Sequence, residues 1–288
     1  MVSPAQRKAG VGHVILKKLC TERQACRYLS VSRSVVYRYK QRTEESDLNQ
    51  QIIKTSEEKV TWGIRKVTAY LRRKQNVPIN PKRVARIRKK YNLQAYRRKT
   101  WKKRTQDGQS LLSQARRADE IWSYDFKQDR TIEGKIARIL VLCDEYTRER
   151  LCLQAGRRFR SAQVIEALSR VHEWTGRKPQ YLKSDNGPEF TSEEICMWLK
   201  TQQITPQYIK PGSPWQNGYV ESLNASLGRE LLDRELFASL SELQKRLDEW
   251  KEEYNEERPH SGCAGLPPAL YARQEKQKQL IRSQDHLI

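Results

Sequence analysis

The sequence has no Cys-x-x-Cys pair, no apolar run approaching the roughly 18 residues of a membrane span, and almost no acid in its first 118 residues. Each absence excludes something. The six cysteines, at positions 20, 26, 143, 152, 196 and 263, are scattered. Cys143 and Cys152 fall inside apolar strand-like runs, which favours small buried hydrophobes in a reducing compartment over disulfides. His13, Cys20 and Cys26 supply only three candidate ligands at loose spacing, a poor match to a closed four-ligand zinc site. Without a membrane-length run or an apolar leader segment, the expectation is a soluble, intracellular protein with no membrane partner. The missing acid is the most informative absence. Residues 1–118 hold 31 Lys and Arg against 7 Asp and Glu, whereas residues 119–288 hold 25 against 27. The net charge of +22 therefore belongs wholly to the front, and a basic front calls for a polyanion. A ribosomal or chromatin protein could carry the same front but would not need the near-neutral back.

Within that front, Thr21-Glu-Arg-Gln24 is a capping-box pattern, followed by Ala25, Cys26 and Leu29 on one face. Ser30-Val31 breaks the pattern and Ser32 can cap a second short helix. This is the pattern of a helix-turn-helix, with Arg33, Ser34, Tyr37 and Arg38 facing a major groove; an ordinary helical hairpin with a solvated basic face fits it too. After an acidic linker, Glu44-Glu45-Ser46-Asp47, a second helical pair follows. Ile64, Val67 and Leu71 recur at helical spacing, and Asn80-Pro81 starts a helix with Val84, Ile87 and Tyr91 on one side. Its other faces are basic, and Arg83, Arg86 and Lys90 are candidate DNA contacts. Residues 95–118 read as a basic linker in which Arg97, Arg98, Lys99, Lys102 and Lys103 are interleaved with the aromatics Tyr96 and Trp101, a mixture suited to tracking phosphates.

From Ile121 the pattern changes to three successive strands, Ile121–Phe126, Ile136–Asp144 and Arg150–Gln154. A helix over 161–174, a strand at 181–185, a helix over 192–203 and a short strand at 207–209 complete a mixed sheet. That order predicts an α/β, ribonuclease H-like five-stranded sheet flanked by helices and preceded by all-α helix-turn-helix segments. The expected domains are residues 1–45, 46–94, a linker over 95–118, a catalytic core over 119–232 and a helical extension over 233–288. Three acids stand out. Asp125 lies in the apolar first strand, Asp185 ends the fourth, and Glu221 lies in a helix, with 35 residues between it and Asp185. Phosphodiester chemistry with two divalent ions needs about three carboxylates, one bridging and one flanking each ion. Asp125 suits the bridge, with Asp185 and Glu221 flanking.

Trp122-Ser-Tyr-Asp-Phe126, Ser184-Asp-Asn-Gly-Pro-Glu-Phe190, Asn217-Gly-Tyr-Val-Glu-Ser-Leu-Asn224 and Tyr254-Asn-Glu-Glu-Arg-Pro-His260 resemble the motifs of bacterial insertion-sequence transposases. They are similar to the second-frame product of the insertion sequence three family, which has a retroviral-integrase-like core. The resemblance spans nearly the whole chain. It implies a polynucleotidyl transferase that cuts a strand at the element's end with water and then transfers the freed 3′-hydroxyl to another phosphodiester. It also implies catalytic and metal roles for Asp125, Asp185 and Glu221, two Mg²⁺ ions with Mn²⁺ able to substitute, double-stranded DNA as element end and target, a homo-multimer on DNA, an upstream-frame protein or fusion as partner, and a bacterial cytoplasmic, nucleoid-associated location. Asp144 and Glu189 match no triad position. The chain departs from the family at Gly228, where Lys or Arg usually stands seven residues after the acid. Arg229 is the expected replacement DNA contact, and Asn224, which shares the face of Glu221, is a further candidate DNA contact. A non-catalytic DNA-binding repressor is the alternative function; a nuclease acting on RNA in hybrids would share the fold but not the helical front.

Overall fold

The computed structural model describes residues 4–76, 78–95, 115–209 and 218–285, with the side chains of residues 34–46 left aside. The chain divides into two compact units, one of residues 1–71 and 77–96, the other of residues 72–76 and 97–288.

The first unit is helical: α1 (Pro4–Leu16), α2 (Glu22–Tyr28), α3 (Arg33–Glu58), α4 (Ile64–Gln75) and α5 (Pro81–Lys90). Thr21 caps α2 through the reciprocal bonds of a capping box with Gln24, and Asn80 caps α5 by accepting from the Lys82 amide, with Pro81 in the first turn. Val11 packs with Ala25 and Cys26, so α1 completes a small core that the sequence pattern did not single out. The acidic segment Glu44–Asp47 is not a linker. It lies inside α3, a 26-residue helix with no proline or glycine to end it. A second core joins Ile52, Trp62, Val67, Leu71, Ile79, Val84 and Ile87.

The second unit is built on β1 (Ile121–Arg130), β2 (Ile136–Asp144), β3 (Arg150–Gly156), β4 (Tyr181–Ser184) and β5 (Thr205–Tyr208), in spatial order β3-β2-β1-β4-β5. The first three strands are antiparallel neighbours, and β4 and β5 run parallel to β1 and to each other. This is the ribonuclease H-like arrangement. Side chains alternate across β1. Trp122 and Tyr124 face one core with α6 (Ser161–Thr175) and α8 (Glu193–Thr201). The opposite face, marked by Ile139, Val141 and Cys143 of β2, packs under α9 (Gly218–Leu227) and α10 (Leu240–Glu256). Short α7 (Pro188–Thr191) follows β4, and α11 (Pro268–Asp285) closes the described chain. After Leu227 the helix widens into one π turn, Gly228–Leu232, tied to the C-terminal extension by Arg258, whose guanidinium donates two bonds to Glu230.

Candidate active site

The sheet's pairing creates the site. β1 pairs with β2 along its full length, to Arg130, but with β4 only from Ile121 to Ser123. Beyond that point β1 runs past the carboxyl end of β4, leaving the notch at which open α/β sheets bind ligands. The parallel register sets Ser123 opposite Lys183, so two residues further Asp125 comes level with Asp185. Under the notch, Lys183 is fully paired with Glu145 at 2.9 and 3.0 Å, and Ser123 also donates to Glu145. This buried, hydrogen-bonded ion pair fixes β1 against β4.

Asp125 is half-buried, and α9 crosses above it. One carboxylate oxygen accepts from the Phe126 amide at 2.8 Å and the other from Asn224 Nδ2 at 2.8 Å. Burial raises the Asp125 carboxyl from 3.8 to about 6, the charges of Asp185 and Glu221 push it the same way, and its two hydrogen bonds oppose the rise. Both other acids therefore lie within electrostatic reach of Asp125. Asp185 is exposed at the end of β4, and its Oδ1 accepts from the Gly187 amide at 3.1 Å. The Asn186-Gly187 pair is not a left-handed turn, since Gly187 has φ −59° and precedes α7. Glycine is needed there for space: a Cβ would stand 3.2 Å from Asp185 Oδ1 and 3.3 Å from the Glu189 carboxyl. Glu221 is exposed on the first turn of α9.

Three carboxylates without a nitrogen or sulfur donor suit a hard divalent cation, and the raised Asp125 carboxyl is what unneutralised acids in a half-buried notch should show. Among the described residues, however, no group of three or more His, Cys, Asp or Glu side chains is gathered tightly enough to hold an ion. The acids converge without forming a finished cage. Asp144 and Glu189 are otherwise engaged. Asp144, fully buried, accepts from the amides of Asp119, Tyr146 and Thr147 and pairs with Arg177, while Glu189 pairs with Arg138 at 2.6 Å.

Arg83 and Arg86 line an open recess of about 300 Å³ with Asn80 and Lys82, and Arg83 also donates to Asn49. Lys90 is exposed, its ammonium 5.3 Å from the Tyr91 ring. Arg88, expected on the basic face, is turned inward and donates to the carbonyls of Trp62 and Leu93. Arg33 and Arg229 are exposed. The side chains of Ser34, Tyr37 and Arg38, and all of Arg97, Arg98, Lys99, Lys102 and Lys103, lie outside the described residues. Asn224, a candidate DNA contact, donates its Nδ2 to Asp125. Lys127 was missed, although its place two residues after Asp125, on the same strand face, marks it.

Residues 115–214 and 202–268 match the integrase core domain family. Over 253 residues the chain is 30% identical to an uncharacterized protein of insertion element IS407 from Burkholderia multivorans, covering 88% of this chain and 90% of that one. It is 26% identical over 267 residues to the transposase for insertion sequence IS3A of Escherichia coli strain K12, covering 85% and 92%. The chain belongs to the insertion sequence three family of transposases. An HTH-like domain match covers residues 40–101, the second helical pair rather than the first. An insertion element IS476 protein of Xanthomonas euvesicatoria is 28% identical over 94% of this chain and 78% of its own length. Among solved structures, the HTLV-2 integrase catalytic core domain in complex with magnesium is 19% identical, covers 55% of this chain and 98% of that one, and has a TM-score of 0.44. The catalytic core domain of BIV integrase is 22% identical, covers 56% and 99%, and has a TM-score of 0.42. No helix among the described residues is long and apolar enough to cross a membrane.

Proposed function

We propose that the chain cuts one DNA strand at the end of its element and joins the freed 3′-hydroxyl to a second DNA phosphodiester, with Asp125, Asp185 and Glu221 as the metal-binding acids. The observation that carries this reading is the convergence on Asp125: the Asp185 and Glu221 charges both act on a carboxyl already strained by burial. Divalent cations, Mg²⁺ or in its place Mn²⁺, would be held by these three carboxylates and would neutralise charge on the attacking and leaving oxygens. The chain's own contributions are separate. Asn224 orients Asp125, the Lys183–Glu145 pair keeps β1 and β4 in register, and Gly187 leaves Asp185 room. Glu221, exposed on the first turn of α9, completes the set.

The basic helical front supplies affinity for double-stranded DNA through phosphate contacts, with Arg33, Arg83, Arg86, Lys90 and the 97–103 series as its candidates. Pairing two element ends calls for a multimer on DNA, and an upstream-frame partner or fusion would add end recognition. The test is Asp185→Asn in a Mn²⁺-dependent plasmid nicking and joining assay, run beside duplex binding. Cutting and joining should vanish while DNA affinity persists. A variant that still cuts would remove Asp185 from the mechanism, and a wild-type chain that binds but never cuts would leave a repressor.

A further inference from the structure

Lys127 follows Asp125 by two residues on β1 and shares its face, about 7 Å further along the strand. It is half-buried, and among the described residues no hydrogen bond or ion pair reaches it. Lys183, the other lysine at this end of the sheet, is by contrast fully paired with Glu145. The Lys127 ammonium lies against Gly228, where α9 passes into its π turn; a Cβ there would stand 3.8 Å from Nζ and 3.9 Å from both Cε and Asp233 Oδ2. A methyl group at position 228 would meet the ammonium in ordinary van der Waals contact, and a longer side chain would have to share its space. Among the described residues, Asp125 and Asp129 flank it on the same strand face and Asp233 lies beyond Gly228, and none of the three makes an ion pair with it. The Asp125 carboxylate is committed to Asn224 and the Phe126 amide, and Asp233 is exposed beyond Gly228.

An ammonium with no bonded partner can take an arriving anion through charge-assisted hydrogen bonds. Beside a phosphodiester site, the arriving anion is the DNA backbone. We propose that Lys127, its ammonium lying against Gly228, is a positioning residue that grips the phosphate next to the one under attack. The contact is with phosphate, so it carries no sequence information. Because the basic residue comes from β1 rather than from α9, its placement relative to Asp125 is set by the strand itself. This assignment rests on the strand-cutting reading above.

The test uses the full chain and a fluorescein-labelled duplex of arbitrary sequence with Mg²⁺. Lysine acylation followed by mass spectrometry should show Lys127 labelled in the free chain and protected on the duplex. Lys127→Met should flatten the dependence of log affinity on log salt by about 0.9, and adding Gly228→Lys to that variant, which returns an ammonium to the same space from α9, should restore the slope. Equal labelling with and without duplex, or an unchanged slope in Lys127→Met, would overturn the assignment. These readouts require no cutting. A wild-type chain that never nicks but shows Lys127 protection would remove the strand-cutting reading and leave the phosphate contact standing.

Discussion

Replacing Asp125 by Asn should stabilise the metal-free protein at neutral pH. The folded chain holds the Asp125 carboxyl at about 6 against an ordinary 3.8, so keeping it ionised at pH 7 costs about 3 kcal/mol at most, at 1.36 kcal/mol per pKa unit. Partial exposure and screening reduce that toward about 1–2 kcal/mol. The sign follows from proton linkage. Between pH 3.8 and 6 the folded state binds more protons at this group than the unfolded state does, so its contribution to stability falls as pH rises through that window and is flat above it. An asparagine keeps a carbonyl oxygen for the Asn224 or Phe126 donor and carries no charge. Calorimetry of the core's unfolding transition should give Asp125→Asn a midpoint about 2–4 °C higher per kcal/mol at pH 7, with the advantage shrinking toward pH 4. Millimolar Mg²⁺ or Mn²⁺ should raise the wild-type midpoint, by mass action on the folded state, and leave the variant's unchanged. A variant less stable than wild type at pH 7, or one equally stabilised by metal, would refute the reasoning.

Three further outcomes follow from the packing. Gly187→Ala brings a methyl to 3.2 Å from Asp185 Oδ1 and should cut nicking about tenfold, the effect of a small misplacement of a reacting group, while the unfolding midpoint stays within about 2 °C of wild type. Arg258→Met removes the two hydrogen bonds that the guanidinium donates to Glu230, whose side chain is 8% exposed, and should cost about 3–5 kcal/mol in urea unfolding; adding Glu230→Leu should recover most of it. Leu247→Ala, in the core between α10 and the sheet with no exposed surface, should cost about 2–5 kcal/mol.

The sheet was legible because its strands read locally. Runs such as Ile136–Asp144 are continuous and β-rich, and the observed strand has those same bounds. The β1 pattern was read four residues short because Lys127 to Arg130 are polar, yet pairing with β2 carries the strand on. In the front, the acids at 44, 45 and 47 look like a break in one dimension, but charge does not end a helix when no glycine or proline is present, so α3 runs through. Arg88 shows the same limit: a basic residue on a basic helix reads as surface, and only the tertiary packing shows its guanidinium capping two buried carbonyls. The acids at 125, 185 and 221 stood out by their motifs. The partners that orient them did not, because Asn224 and Lys127 meet Asp125 and Gly228 only through the crossing of α9 over β1. Gly228 looks like a loss in one dimension and, in three, lies against the ammonium of a lysine from another element.

The most direct test of the central claim is anomalous scattering from a Mn²⁺-soaked crystal of the chain. The account predicts a manganese peak shared by Asp125 and Asp185, with the Glu221 helix positioned to close over it. An ordered core with Asp125 and Asp185 carboxylates that bind no manganese would contradict it, since two ions about 3.5–4 Å apart are what the chemistry requires.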